Sequence, residues 1–234
     1  MATKYSRFIK TNEELRNLLV ENKLLDKKRL KYQSVFEGTC GILNLIIEEN
    51  LYLARDKFIK ALRKKLHSPM IYYFLGVIHR KIGKYVKAMQ EFNEVISLDP
   101  SFFAAEFQKG RILSDQHEWH KALIYYKRLL KKYCCGEAEP SEQIAFIYQE
   151  LGRAALALSD WERAIEYFKE VVKRRPEDVK VMNNIAVAYL KIGRITEGEK
   201  WLLEAQKITP EENTIKQNLR LCNKLKRLKM NKKV

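Results

Sequence analysis

The chain has 234 residues, of which 46% are hydrophobic and 32% are charged. This apolar content is enough for a hydrophobic core, so the composition excludes a wholly disordered chain. The length suits one or two globular domains or a single array of repeats. The 45 Lys and Arg residues outnumber the 29 Asp and Glu residues, which gives a formal net charge of +16. An acidic partner is therefore expected, although charge alone does not say of which kind.

The amino-terminal residues contain no apolar run of the kind found in signal peptides, and no apolar stretch is long enough to span a bilayer. Cys40, Cys134, Cys135 and Cys222 follow neither a zinc-ligand spacing nor a disulfide framework, which agrees with a reducing compartment. These features predict a cytoplasmic protein. The neighbouring Cys134 and Cys135 leave a metal site or an oxidation sensor open as a minor alternative.

Residues 1–34 are predicted to contain a helix that opens at a capping box formed by Thr11 and Glu14. The apolar edge of this helix is narrow. It is interpreted either as a cover for one end of the following array or as an arm that binds a partner.

Residues 69–102 carry two helical patterns around one short turn. Apolar residues recur at helical spacing over residues 70–81 and again over residues 85–98. Gly83 lies between the two patterns, where glycine readily takes the left-handed conformation that ends a helix. Pro100 ends the second pattern, because the residue before a proline is driven out of helical geometry.

The spacing of small and large residues in this hairpin resembles the tetratricopeptide repeat, a helical hairpin of about 34 residues. The positions that match the signature of that family are Tyr72, Leu75, Gly76, His79, Gly83, Ala88, Phe92 and Pro100. Gly76 and Ala88 are small where two helix backbones must approach closely, and Phe92 fills the space beside them. The resemblance implies an all-α fold, a right-handed α-solenoid of about five helix-turn-helix repeats.

The same phase divides the chain into units 35–68, 69–102, 103–144, 145–178 and 179–212. Unit 35–68 is degenerate at Gly41 and Ile42, as is typical of a terminal repeat. Unit 103–144 has Glu106 and Lys109 where the family has large apolar residues, so a looser hairpin is expected there. It also contains an insertion over residues 134–141, which Gly136 and Pro140 mark as a loop.

A capping helix over residues 213–229 is predicted to close the array, within a final segment 213–234. One half of its helical wheel carries Ile215, Leu219, Leu221, Cys222, Leu225 and Leu228. This segment contains no acidic residue, and its basic residues are Lys216, Arg220, Lys224, Lys226, Arg227, Lys229, Lys232 and Lys233. Residues 229–234 are expected to be disordered.

No motif of a nucleophile elbow, a phosphate-binding loop, a dinucleotide site or a zinc protease occurs in the chain. His117 and His120 lie close enough in sequence to suggest zinc, but the repeat phase places His117 at an exposed turn, so two solvated histidines are favoured. Carboxylates such as Glu170 stand beside basic residues at helical spacing. The chain is therefore predicted to be neither an enzyme nor a cofactor-binding protein.

The resemblance further implies that the first helix of each unit lines a concave groove that binds a peptide segment of another protein. The family positions that face this groove fall on Tyr73, Val77 and Arg80, on Phe107 and Arg111, on Phe146, Gln149 and Arg153, and on Lys180, Asn183, Asn184 and Val187, with Gln217 and Asn218 as additions from the capping helix. Arginine binds carboxylates, asparagine binds peptide backbone and aromatic rings hold apolar side chains, so an acidic or carboxyl-terminal peptide is expected.

Chaperone-binding members of the family hold a carboxylate with Lys, Asn and Arg residues spread over three successive units. Here Lys180 and Asn184 match two of those positions, but both belong to the last unit. Binding of a chaperone tail is therefore disfavoured.

Two alternatives use the positive charge instead of the groove. Binding to nucleic acid or to the ribosome would use the runs Lys57, Lys60, Arg63, Lys64 and Lys65, then Lys127, Arg128, Lys131 and Lys132, and the basic residues of segment 213–234. Attachment to an acidic membrane surface through the final helix is weaker, because its apolar half is needed for capping. The oligomeric state is left open.

Overall fold

The computed structural model describes residues 51–52, 55–56, 58–59, 69–134 and 141–231. Within these residues all regular structure is helical, which confirms the predicted all-α class. The helices are α1 (Pro69–Lys81), α2 (Tyr85–Leu98), α3 (Phe103–Asp115), α4 (Trp119–Tyr133), α5 (Ser141–Ala157), α6 (Trp161–Arg174), α7 (Val179–Lys191), α8 (Ile195–Ile208) and α9 (Asn213–Asn231). The predicted amino-terminal helix and most of unit 35–68 lie outside the described residues.

The chain divides into two compact units, with the boundary between Leu98 and Asp99. In the first unit α1 packs against α2, and the buried side chains of Phe58, Ile71 and Leu75 form part of the core. In the second unit α3–α4, α5–α6 and α7–α8 are antiparallel hairpins, and each packs on the next element along the chain, ending with α9. Contact between sequence neighbours is how repeat arrays build a continuous core.

Within the described residues, the four helical hairpins share one turn geometry. Its central residue has a positive φ, which is 76° at Gly83 and Gly193, 59° at His117 and 58° at Ser159. In each hairpin the next residue's N–H donates to a carbonyl in the last turn of the helix, at 2.7–2.9 Å. This bond satisfies a carbonyl that would otherwise lack a partner at the helix end. The expected turn at Gly83 is confirmed, and so is the position of His117 in an inter-helix turn.

Glycine in the first helix of three hairpins gives space to an aromatic ring from the second. A Cβ atom built on Gly76 would lie 2.6 Å from the Cε1 atom of Phe92, which is closer than any real contact. The same 2.6 Å separates Cβ positions at Gly110 and Gly152 from the buried rings that face them. The predicted pairing of Gly76 with Phe92 is thus a contact that fixes how closely the two helices pack.

Gly198 has a packing role that its sequence position did not reveal. Glycine within a helix costs about 1 kcal/mol relative to alanine, so Gly198 by itself weakens α8. In the structure Gly198 is buried, and a Cβ atom there would lie 3.0 Å from the carbonyl oxygen of Ala186 on α7. The glycine therefore allows the two backbones to approach, which offsets its low helix propensity.

Glu106 joins α3 to α4 through polar contacts where the family has an apolar one. Its carboxylate accepts hydrogen bonds from Lys132 Nζ at 2.9 Å and from the Tyr133 hydroxyl at 3.1 Å. The Tyr125 hydroxyl donates to the Glu106 carbonyl at 3.1 Å. Burial, and next the charge of Glu106, raise the pKa of Tyr125 to about 12. The polar side chain of Glu106 is thus satisfied by hydrogen bonds from α4, although the family has an apolar residue at this position.

The last residue of the predicted insertion in unit 103–144 is helical. Helix α5 begins at Ser141, one turn before Ala145, where the next unit was expected to start. The loop predicted over residues 134–141 therefore does not include Ser141. Residues 135–140, including Cys135, lie outside the described residues, and Cys134 is the last residue described before them.

Helix α9 covers the end of the second unit as predicted, but with a narrower face. Ile215 and Cys222 are buried in a cluster with Met182 and Leu202 from α7 and α8. Leu221 and Leu228 are 43% and 50% exposed, so their assignment to the packing face was wrong. The helix continues through Asn231, so the expectation of disorder was wrong for residues 229–231, while residues 232–234 lie outside the described part.

Candidate peptide-binding groove

In the compact unit that begins at Asp99, the predicted groove residues lie on α3, α5 and α7. Each of these is the first helix of its hairpin. Phe107 and Arg111 are on α3, Phe146, Gln149 and Arg153 are on α5, and Lys180, Asn183, Asn184 and Val187 are on α7. Helix α3 contacts α5, and buried side chains of α5 and α7 belong to one hydrophobic cluster, so the three helices form a continuous wall. We call this wall of α3, α5 and α7 the groove wall.

Aromatic rings join α3 to α5 on the groove wall. The ring of Phe107 lies 5.9 Å from that of Phe146, 5.8 Å from that of Tyr126 and 5.6 Å from that of Phe103. Phe146 is 40% exposed, so much of its ring remains open to solvent. Two predicted residues thus form an apolar surface that could receive a side chain of a ligand.

A buried carboxylate stands among the groove arginines. Glu150 on α5 is only 6% exposed, and Arg153 Nη1 donates to both of its oxygens at 3.0 and 3.1 Å. Burial, followed by the charge of Glu150, raises the pKa of Tyr126, while Arg111 and Arg153 act in the opposite direction. Both predicted arginines therefore lie in the same electrostatic neighbourhood. Glu150 was not predicted as part of the site, although it occupies a groove-facing repeat position.

Arg175 is a second residue that the sequence analysis missed. It follows α6 and reaches α5, where its guanidinium carbon lies 4.1 Å from the centre of the Phe146 ring. Its Nη1 atom donates to Gln149 Oε1 at 3.1 Å, and its Nε atom donates to Glu142 Oε2 at 3.1 Å. The residue lies in the connection between α6 and α7, outside the family positions used to predict the groove.

The last part of the groove wall is built from amides. Asn218 on α9 donates through Nδ2 to Asn183 Oδ1 at 2.7 Å, which joins the capping helix to α7. Asn184 and Val187 are half-buried and Lys180 is exposed. The sequence also predicted Asn218 as an addition to the groove, and the structure brings it into contact with Asn183.

The groove residues predicted in the compact unit that ends at Leu98 lie together on α1. Tyr73, Val77 and Arg80 are all half-buried. The ring of Tyr73 is 5.6 Å from that of Phe74 and 6.0 Å from that of Phe92. These residues therefore share one surface of their own hairpin.

The described residues also carry the histidines and some of the basic residues considered as alternative sites. His117 and His120 are both exposed, and no group of three potential metal ligands occurs within the described ranges. Lys127 and Arg128 are exposed on α4, whereas the predicted basic run from Lys57 to Lys65 falls outside the described residues. None of the helices described combines the length and apolarity needed to cross a membrane.

Comparison with family models identifies two matching stretches. Residues 69–102 and residues 150–213 each match a model described as a tetratricopeptide repeat. The first match has the same bounds as the unit predicted from the sequence. The second covers most of the last two predicted units.

Two curated proteins resemble part of the chain. A tetratricopeptide repeat-containing protein of Methanocaldococcus jannaschii is 25% identical over 131 residues, which is 56% of this chain and 22% of the relative. A tetratricopeptide repeat and J domain-containing co-chaperone of Cryptococcus neoformans is 20% identical over 113 residues, covering 47% of this chain and 22% of the relative. The chain thus spans about a fifth of each relative's length.

Solved structures share the fold at low sequence identity. The C-terminal part of a repeat-containing protein from Cytophaga hutchinsonii superposes with a TM-score of 0.66 at 18% identity, covering 80% of this chain and 71% of that one. MamA from Desulfovibrio magneticus gives 0.60 at 18% identity, with 80% and 98% covered. The Cut9–Hcn1 assembly of the APC/C gives 0.63 at 20% identity, with 78% and 35% covered. These likenesses show a solenoid of helical hairpins.

Proposed function

We propose that this chain, which belongs to the tetratricopeptide-repeat family, is a non-catalytic scaffold that holds a peptide segment of another protein on its groove wall. Repeats of this family serve protein–protein interaction. The proposal for the second unit is narrower: the bound segment is acidic, either through its side chains or through its carboxyl terminus.

The observation that carries this proposal is the adjacency of exposed aromatic surface and arginine on α3 and α5. Phe107 and Phe146 lie in ring contact at 5.9 Å, and Arg111 and Arg153 stand on the same two helices. An aromatic surface binds an apolar side chain, while a guanidinium pairs with a carboxylate through two hydrogen bonds. The net charge of +16 favours association with an acidic segment over longer distances.

The two arginines are not equivalent for a test. Arg153 neutralises the buried Glu150, so removing Arg153 would leave a buried carboxylate without its ion-pair partner and could disturb the fold. Arg111 is the better position to change. Arg128, exposed on the outer helix α4, provides a matched arginine for a control.

The experiment begins with random peptides displayed on phage and selected on the full chain. We expect enrichment of Asp or Glu next to an apolar residue. A fluorescent copy of a selected peptide should bind about tenfold more weakly to the Arg111→Gln variant, because a hydrogen-bonded charge pair is lost. The Arg128→Gln variant should bind as the unchanged chain does. Equal loss in both variants, or selection of peptides without acidic residues, would contradict the proposal.

A second candidate, binding to nucleic acid or to the ribosome, is favoured by one specific surface. Arg220, Lys224 and Arg227 are all exposed on α9. Replacing all three with Gln tests this surface without removing the helix that covers the core. If the candidate is right, the variant should leave a polyanion column at clearly lower salt, because fewer phosphate contacts mean fewer released counterions. Unchanged elution would remove its main support.

The proposal places this role in the cytoplasm. Cys222 on α9 is a free thiol, and it is buried in the core that α9 covers. Unpaired structural cysteines suit a reducing compartment. Microscopy of the tagged chain in its own cell would test this placement.

A further inference from the structure

The guanidinium of Arg175 is held by Phe146 and Gln149, and its acidic partner can be exchanged for another carboxylate. Its guanidinium stacks on Phe146 at 4.1 Å and donates to Gln149 at 3.1 Å, and its side chain is only 19% exposed. These two contacts come from the groove-facing side of α5. They fix the direction of the guanidinium independently of any acidic partner.

The acidic neighbours of Arg175 differ in how firmly they are held. Asp178 lies 3.9 Å away, and its Oδ1 atom already accepts the backbone N–H of Val181 at 3.1 Å as the N-cap of α7. Glu142 makes the closer pair, with 2.7 Å between its Oε1 atom and Arg175 Nη2. The Glu142 side chain is 62% exposed. Glu142 meets Arg175 at two points, through Nη2 and through Nε at 3.1 Å, but its carboxylate lies in solvent, so a ligand carboxylate that makes the same two contacts can take its place.

Apolar and open surfaces lie directly beside this pair. The ring of Phe146 is partly exposed beside Arg175, and it contacts the ring of Phe107. A ligand carboxylate could therefore reach the guanidinium while a neighbouring apolar side chain rests on the aromatic rings.

We propose that Arg175, Phe146 and Gln149 form a carboxylate-binding subsite of the groove, and that Glu142 occupies it as an internal substitute which the ligand displaces. The subsite takes a carboxylate flanked by an apolar side chain. This inference rests on the proposed function of the groove wall. It adds a regulatory consequence, since Glu142 lowers the affinity of every acidic ligand that uses the subsite.

The test uses the full chain and an acidic peptide selected from the phage library. Peptide affinity is measured by fluorescence anisotropy for the unchanged chain, Glu142→Gln, Arg175→Lys and the double variant. Glu162→Gln, which removes the same charge at an exposed site on α6, is the matched control. A version of the peptide with an amidated carboxyl terminus shows whether the bound carboxylate is terminal or belongs to a side chain.

Glu142→Gln should tighten binding about twofold to fivefold, because the ligand no longer competes with an exposed ion pair. Glu162→Gln should change the affinity less. Arg175→Lys should weaken binding about tenfold, since lysine offers neither the two parallel hydrogen bonds nor the stacked plane of arginine. In the Arg175→Lys background, the gain from Glu142→Gln should disappear.

Two results would overturn the inference while leaving the proposed function intact. One is equal tightening by Glu142→Gln and Glu162→Gln, which would indicate a general effect of charge. The other is a gain from Glu142→Gln that persists in the Arg175→Lys background. If instead no acidic peptide binds the unchanged chain, the proposed function itself fails.

Discussion

At Gly152 the absence of one methyl group sets the distance between α5 and α6. A Cβ atom there would lie 2.6 Å from Cε1 of Phe168, whose side chain is fully buried. We predict that Gly152→Ala lowers the free energy of unfolding by about 1–3 kcal/mol, because the displaced ring has no free space to enter. Alanine's better helix propensity would raise stability, so a loss isolates the packing effect. Urea unfolding followed by circular dichroism measures the change.

A double-mutant cycle provides the control for this contact. Phe168→Leu alone should destabilise the chain, but it should also reduce the additional cost of Gly152→Ala, because the smaller side chain vacates the clash. If the two costs simply add, the close approach of Gly152 and Phe168 is not what limits the packing.

His79 gives the first unit a predicted pH dependence. Burial, followed by the charges of Lys87, Arg55 and Lys84, lowers the pKa of His79 below its ordinary 6.5. The Glu91 carboxylate is 3.9 Å from His79 Nδ1, so no hydrogen bond offsets burial. The unfolded chain therefore takes up the proton more readily, and the contribution of His79 to stability is lost as pH falls below 6.5.

Amide hydrogen exchange in α1 and α2 checks this prediction as a function of pH, after correction for the intrinsic exchange rate. Protection should fall below pH 6.5, and the fall should be smaller in a His79→Gln variant. Burial raises the pKa of Glu91, which contributes in the opposite direction, so the comparison between variants isolates the histidine. His117→Gln, on an exposed turn of the second unit, is the control. An unchanged profile in His79→Gln would refute the assignment.

At the scale of elements, α9 shows which part of a helix covers the core. Ile215 is 1% exposed and packs with residues of α7 and α8, whereas Leu221 is largely open to solvent. We predict that Ile215→Ala costs about 2–4 kcal/mol of unfolding free energy through lost burial and a cavity. Leu221→Ala should stay within about 0.5 kcal/mol. Similar losses from both changes in urea unfolding would mean that α9 packs through a wider face.

Helix positions were predictable because local signals fixed them. The apolar spacing and the turn at Gly83 placed α2 at its observed bounds, Tyr85–Leu98. The packing face of α9 was overestimated because a helical wheel shows which residues share a side, but not how much of that side a neighbour covers. The network of Glu106 depends on Lys132 and Tyr133, which only the packing of α4 brings close.

At the scale of the whole molecule, the repeat phase predicted a set of groove residues, and the structure shows contacts among them that the phase did not give. Phe107 and Phe146 were assigned separately from their positions, and the structure brings their rings together at 5.9 Å. Arg175 escaped prediction because it lies in the connection after α6, outside the groove-facing repeat positions. Glu150 occupies a groove-facing repeat position that could have selected it, but its burial depends on neighbouring helices, which the sequence of α5 does not encode. The division at Leu98 and Asp99 also does not appear in the repeat phase.

The most direct test of the central claim is a map of peptide contacts on the full chain. Backbone NMR resonances are followed while an acidic peptide from the phage selection is added. Binding to the groove wall predicts that the largest shifts occur on α3, α5 and α7, around Phe107, Arg111 and Phe146. Shifts concentrated on α4, α6 and α8, or on the basic surface of α9, would contradict it.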